Sequence, residues 1–137
     1  MTSGVFDPTL AYDASGNITG ITDAGGARTQ TFHYDSLNHL ARAGGTGAPS
    51  LQSASYSYGA TSHKLTSVTA AAPRAFTYLS SGQMSSETDG ATTKTYTYDA
   101  EGRLVLIQTN GVTTAASDYD AAGQRVSSTV AGATTHF

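Results

Sequence analysis

The residues of this chain that could do chemistry are few, and most of them are periodic. Four histidines, His33, His39, His63 and His136, could offer imidazole nitrogens to a metal. Four aspartates that each follow a tyrosine, Asp13, Asp35, Asp99 and Asp120, could act as acids, bases or cation ligands. Zinc asks for three or four convergent N, S or O ligands. His33 lies between Phe32 and Tyr34 and His136 beside Phe137, with most of the chain between them, so they read as strand positions. A glycosidase needs one unique carboxylate pair with separated pKa values. Four copies of one local context point to a turn instead. No Gly-x-Ser-x-Gly elbow and no Gly-x-x-x-x-Gly-Lys phosphate loop occurs. The chain is therefore read as a non-enzyme, with no catalytic residue, no metal and no cofactor.

The remaining chemistry belongs to the aromatic rings, and these are ordered along the chain. Eleven of the twelve aromatics fall on two columns, with Phe6 outside them. One column is Tyr12, Tyr34, Tyr58, Tyr78, Tyr98 and Tyr119; two residues earlier stand Leu10, Phe32, Tyr56, Phe76, Tyr96 and Ser117, and Phe137 takes that place where the sequence stops. A self-similar spacing of about twenty residues marks a repeat architecture, in which one unit cannot bury its apolar face without its neighbours. If exposed, such rings would make a platform for sugars. If packed, they form a cross-strand ladder.

Strands must position these columns. In the fifth repeat, Thr95-Tyr96-Thr97-Tyr98 alternates with period two, so both rings project from one face and the threonines from the other. The ring face is expected to be the buried one. Asp99 opens a tight turn by accepting backbone hydrogen bonds, and Gly102 closes it with positive φ. The same frame holds for Asp13 with Gly16 and Asp120 with Gly123; Asp35 pairs with Asn38, and Gly82 takes the glycine place in the fourth repeat. Asn110-Gly111 and Asp89-Gly90 read as two-residue hairpin turns at the opposite end, with Ala24-Gly25-Gly26 and Ala131-Gly132 as looser versions.

Beyond the first turn stand Ile18, Leu40, Leu65, Met84, Leu104 and Val126, with a second set three residues on at Ile21, Val68 and Ile107. A three-residue step changes face in a flat strand. Either a bulge returns both sets to one side or the strand packs on two faces. Two repeats depart from the frame. The second has an enlarged loop from Ala43 to Ser50, and the third, Tyr58-Gly-Ala-Thr-Ser-His-Lys-Leu65, lacks Asp and Gly at their places.

Composition agrees with ordered β structure. Of 137 residues 38% are hydrophobic, too few for a large conventional core. The periodic aromatics argue against disorder. Charged residues make up 12% and the net charge is −3, which gives no electrostatic footprint for nucleic acid. There is no cysteine, and no run of apolar residues approaches a membrane span.

Tyr12-Asp-Ala-Ser-Gly-Asn-Ile18, Tyr34-Asp-Ser-Leu-Asn-His-Leu40, Tyr98-Asp-Ala-Glu-Gly-Arg-Leu104 and Tyr119-Asp-Ala-Ala-Gly-Gln-Arg-Val126 resemble the Rhs or YD repeat, over residues 10 to 137. The resemblance implies an antiparallel meander of β-hairpins that curls into a hollow shell. In bacterial Rhs proteins and insecticidal toxin complexes such shells enclose a toxic C-terminal domain; in teneurins a similar barrel serves adhesion. YD repeats are also associated with carbohydrate binding. The expected layout is a lead segment at 1–9 and six repeats at 10–137, beginning near Tyr12, Tyr34, Tyr58, Tyr78, Tyr98 and Tyr119, the last incomplete. The expected role is an encapsulating or scaffolding wall linked to toxin delivery, with a carbohydrate- or surface-binding adhesion module as the alternative. Expected partners are other YD repeats in a longer parent chain or further copies of this one, together with a toxin domain or a glycan, and not nucleic acid. The expected setting is secreted, extracellular or cell-surface, as part of an exported protein, with no signal peptide in this chain. Phe137 stops between rungs, which suits head-to-tail assembly. Asp7-Pro8 is followed by Thr9-Leu10 and not by the self-cleaving Asp-Pro-x-Gly pattern, so no cleavage site is carried over.

Overall fold

The computed structural model describes residues 8–23, 25–26, 28–47 and 53–137. The fold is all-β. The chain divides into two units, Met1–Pro73 and Arg74–Phe137. In the first, β1 (Thr9–Tyr12), β2 (Ile18–Thr22), β3 (Thr29–Tyr34), β4 (Leu40–Thr46), β5 (Ala54–Tyr58) and β6 (Leu65–Thr69) pair antiparallel, each with its sequence neighbour. In the second, β7 (Arg74–Tyr78), β8 (Met84–Asp89), β9 (Thr92–Tyr98), β10 (Leu104–Thr109), β11 (Val112–Tyr119), β12 (Arg125–Val130) and β13 (Ala133–His136) do the same. Both units are meanders, the topology that short turns between adjacent strands dictate. Of the lead segment, residues 1–7 lie outside the described residues, and β1 already begins at Thr9.

One irregularity is copied through all six tyrosine hairpins. Tyr96 faces Ile107 and Thr97 faces Leu106, yet Tyr98 faces Leu104, which leaves Val105 as an extra residue. The same slip leaves over Thr19 opposite Ala11/Tyr12, Ala41 opposite His33/Tyr34 and Thr66 opposite Ser57/Tyr58. In the second unit it also leaves over Ser85 and Val126. A two-against-one bulge restores the face that a three-residue step would lose. Leu104 and Ile107 therefore stand opposite Tyr98 and Tyr96 on one side of the strand pair, and Leu65 and Val68 stand likewise opposite Tyr58 and Tyr56.

The bulge also corrects the apolar column. In the sixth hairpin the residue facing Tyr119 is Arg125, and Val126 is the bulged residue, 36% exposed. Val126 matches that column by hydrophobicity alone. The six-residue step from the tyrosine, kept in every hairpin but the third, selects Arg125, whose guanidinium carbon lies 5.0 Å from the centre of the Phe137 ring. A long cation with an apolar stem can cover a ring while its head stays in water.

Other departures concern turns. Asp89 pairs with Thr92, so the two-residue loop is Gly90-Ala91 and Asp89 ends β8. The expected loop from Ala43 is strand as far as Thr46, with Phe32, Thr31, Gln30 and Thr29 paired to Ala43, Gly44, Gly45 and Thr46 in turn. Glycine fits there because a Cβ on Gly45 would collide with the Thr29 carbonyl oxygen. The rest of that expected loop, residues 48–50, and Ala24 of the loose turn lie outside the described residues.

Little of this fold is deeply buried. Among the described residues only Ala43 (5%) and Ser127 (7%) are buried side chains, and none is fully enclosed. The ring face is half-buried, not buried as expected from the sequence, because a single layer of strands covers each ring only with its lateral neighbours. On the opposite face, hydroxyl pairs run from strand to strand: Thr29 with Thr46 at 2.7 Å, Thr88 with Thr93 at 3.3 Å and Thr129 with Thr134 at 2.8 Å. Backbone ladders and such cross-strand pairs stabilise the units in place of a core.

Candidate functional site

The repeated constellation is the end of each hairpin that carries tyrosine, aspartate and glycine. Asp99 shows how it is built. Its Oδ1 accepts hydrogen bonds from the backbone N–H groups of Glu101 at 3.1 Å and Arg103 at 2.8 Å, while Oδ2 accepts from Arg103 Nε at 2.7 Å. The backbone closes the same loop, since Gly102 donates to the Asp99 carbonyl and Asp99 donates to the Arg103 carbonyl, both at 3.0 Å. One carboxylate thus satisfies donors that a five-residue turn would leave facing water.

Asp13 repeats this geometry with Ser15 and Asn17, Asp35 with Leu37 and His39, and Asp120 with Ala122 and Gln124. The bonds tune the acids. The Asn17 side-chain amide, then its backbone N–H, holds the Asp13 carboxyl below its ordinary value. The backbone N–H of His39 does the same for Asp35. At Asp99 loss of water pushes the carboxyl up, but the backbone and side-chain bonds from Arg103 outweigh it and leave it lowered. Carboxylates committed to turn amides in this way are poorly placed to take up substrate protons.

Gly16, Gly82, Gly102 and Gly123 all have positive φ, and Asn38 takes the same backbone region at φ 62. A second constraint acts at this position. The residue before the apolar column reaches over to the next hairpin's turn: Asn17 Nδ2 donates to Asn38 Oδ1 at 2.9 Å, and Gln83 Nε2 donates to the Gly102 carbonyl at 2.7 Å. A Cβ on Gly102 would come within 2.9 Å of that Gln83 nitrogen, and one on Gly123 within 3.1 Å of an Arg103 guanidinium nitrogen. Both neighbours are the ends of flexible side chains, so the backbone angle, which Asn38 also adopts, is the stronger constraint at this position. The Arg103 guanidinium also lies over the Tyr119 ring, 4.8 Å from its centre.

The tyrosine column makes a bond that the ring pattern did not suggest. Tyr34 donates its hydroxyl to the Ile18 carbonyl at 2.9 Å, Tyr58 to Leu40 at 3.0 Å, Tyr98 to Met84 at 2.9 Å and Tyr119 to Leu104 at 3.2 Å. Each acceptor faces the tyrosine of the preceding hairpin and is followed by that hairpin's bulge residue. The register of the following strand pair leaves the acceptor residue without a partner, and the next tyrosine takes up its carbonyl. A signal for this was present: the column is Tyr six times, whereas the column two residues earlier accepts Leu, Phe, Tyr and Ser. A hydroxyl, not only a ring, is what the position holds.

In the earlier column, Phe32, Tyr56, Phe76 and Tyr96 face Ala43, Val68, Glu87 and Ile107. Glu87 is the polar exception. It takes the Tyr96 hydroxyl at 3.2 Å and pairs with Arg74 at 3.2 Å, and Arg74 also reaches Asp89 at 3.3 Å. Arg74, Glu87, Asp89, Thr92 and Lys94 line a pocket, and burial, then the nearby Glu87 charge, raises the Tyr96 phenol. Tyr12 and Phe137 are 57% and 70% exposed.

The four histidines do not converge. His33 faces Arg42 on the hydroxyl face of β3, and His136 faces Ser127 on β13. Only His39 and His63 meet. Among the described residues no group of three or more His, Cys, Asp or Glu is placed to hold a metal, and no helix is long and apolar enough to cross a membrane.

Comparison with known proteins agrees with this construction. The family described as RHS Repeat matches residues 12–48 and 78–114. No curated protein sequence matches the chain. Among solved structures, the crystal structure of TcdB2-TccC3-Cdc42 is similar with a TM-score of 0.79 at 18% identity, over 94% of this chain. TcdB2-TccC3 without its hypervariable C-terminal region is similar with a TM-score of 0.78, also at 18% identity and over 94% of this chain. The chain spans about 7% of the length of each. The matched segments cover more than half of the sequence and begin at Tyr12 and Tyr78, two members of the hydroxyl column, and on that basis the chain belongs to the Rhs repeat family.

Proposed function

We propose that this chain is structural wall: a run of Rhs repeats whose work is to extend a curved β-sheet that encloses or scaffolds something else. The observation that carries the reading is the tyrosine hydroxyl bond to the preceding hairpin, because it makes each hairpin incomplete until its successor is in place. The half-buried ring face supports it too, since rings left on one side of a single layer call for cover by further wall or by contents. Toxin delivery, export and head-to-tail self-assembly are extensions of this reading, and the ring columns are its packing ladder. The partner is then more wall, from a longer parent chain or from further copies.

Size-exclusion chromatography with light scattering tests the reading on the chain alone. Association is expected, and a compact, stable monomer would overturn it. Deleting residues 133–137, which removes β13, should stop any head-to-tail growth; unchanged growth would rule that mode out. The adhesion alternative predicts glycan binding that vanishes in Tyr56→Ala/Tyr58→Ala with circular dichroism unchanged. The wall is favoured because the hydroxyls of Tyr34, Tyr58, Tyr98 and Tyr119 are already engaged by backbone carbonyls.

A further inference from the structure

Between the second and third turns of the first unit, an imidazole pair stands where hydrogen bonds link other neighbouring turns. His39 Nδ1 lies 2.9 Å from Asp35 Oδ2, and the His39 ring stacks on Tyr58 at 4.7 Å with an interplanar angle of 27°. The His63 ring lies 5.1 Å from it, tilted by 49°. A neutral imidazole held in this way donates Nδ1–H to the carboxylate and keeps a free lone pair on Nε2. The same carboxylate support stands behind metal-bound histidines, fixing tautomer and ring orientation.

The spacing fits a shared ion. Two imidazoles bound to one tetrahedral zinc through bonds of about 2.0–2.1 Å place their ring centres roughly 5 Å apart. His63 is solvent-exposed, and its backbone is committed to the left-handed region at φ 53. The third turn also lacks the aspartate that clamps the first, second, fifth and sixth. There Ser62 Oγ accepts the Lys64 N–H at 3.4 Å.

We propose that His39 and His63 bind one divalent transition cation of the zinc class, with Asp35 as the positioning residue and water completing the coordination. The ion ties the second turn to the third, one of the two turns without a carboxylate clamp. Imidazole nitrogens select zinc, copper or nickel over calcium and magnesium, which prefer oxygen. Two protein ligands make it an open, exchangeable site, distinct from a closed structural zinc centre.

The test is calorimetric titration of the purified chain with zinc near neutral pH, paired with thermal melts. One zinc per chain and a rise in melting temperature are expected, with no such response to magnesium. His63→Ala should abolish the binding and leave the zinc-free circular dichroism unchanged, while His33→Ala/His136→Ala should keep it. Asp35→Asn should weaken binding by at least about tenfold. Histidine 1H–15N spectra give a readout independent of turn stability: zinc should shift the imidazole nitrogens of His39 and His63 and leave those of His33 and His136 in place. Stoichiometric binding that survives His63→Ala, or no heat and no melting shift in the native chain at millimolar zinc, would overturn the proposal.

Discussion

The third and fifth hairpins solve the same problem with different means. In the fifth, the Asp99 carboxylate gathers Glu101, Arg103 and the Arg103 side chain, and the loop is five residues long. In the third, the loop has one more residue, and the Gly59 N–H donation to the Lys64 carbonyl at 2.9 Å closes it. The strands beyond are indifferent to this. Tyr58 faces Leu65 across a bulge as Tyr98 faces Leu104, and both tyrosines donate to the carbonyl of the hairpin before. Turn chemistry is therefore exchangeable, and the hydroxyl bond is the part the repeat keeps: aspartate follows four of the six column tyrosines, while the tyrosine itself is never replaced.

That contrast is easiest to break at the tyrosines. Tyr98→Phe and Tyr58→Phe each leave a carbonyl beside a bulge without its donor, at a cost of about 1–2 kcal/mol in urea unfolding. The two losses should be equal within error, since the bond is the same in both hairpins. A much smaller loss at Tyr58 would mean that the third hairpin is held by something other than the hydroxyl.

Asp99→Ala ranks next. It should lower the melting temperature clearly, whereas Ser62→Ala in the third turn should change stability by less than about 0.5 kcal/mol. Equal effects would show that the carboxylate clamp contributes no more than the weak serine bond. The clamp also carries a pH signature. Asp13, Asp35 and Asp99 have folded pKa values below the ordinary 3.8, so their contribution is complete above about pH 4 and is lost as the pH falls below that value. Melting temperature should fall on acidification below about pH 4 in the native chain and fall less in Asp99→Ala. A profile that is flat in both would separate the hydrogen bonds from the charge.

The sequence revealed the fold class because period-two alternation, aspartate before a tight turn and glycine at its end are local signals. What it hid depends on pairing between strands. The bulge was one of two readings left open by the apolar spacing, and only the register decides for it; hydrophobicity alone also put Val126 where Arg125 stands. The turn-to-turn links made by Asn17 and Gln83 were hidden for a similar reason, because their partners lie a whole repeat away. The hydroxyl bond was partly legible, in the contrast between a column that is always Tyr and one that accepts Phe. The His39–His63 pair was legible only as two imidazoles that each stand five residues after a column tyrosine; that they meet depends on how neighbouring turns pack.

The smallest expected effect concerns the far end of the hairpins, where two turns occupy equivalent places. Asn110 and Gly111 have φ values of 49 and 80, and Ala131 and Gly132 have 49 and 83. Asn110 donates its N–H to the Thr93 carbonyl at 2.8 Å, and Ala131 donates to the Thr114 carbonyl at 3.0 Å. Asn110 does one thing more, accepting the Thr93 N–H on its Oδ1 at 2.7 Å. Alanine has no oxygen to do this and tolerates the left-handed region less well than asparagine. Ala131→Asn should therefore stabilise the chain by about 0.5–1 kcal/mol, measured by urea unfolding, and Asn110→Ala should cost a similar amount. If Ala131→Asn gives no gain while Asn110→Ala still costs, the two turns are alike in backbone only, and the side-chain bond to the neighbouring strand belongs to the fifth repeat alone.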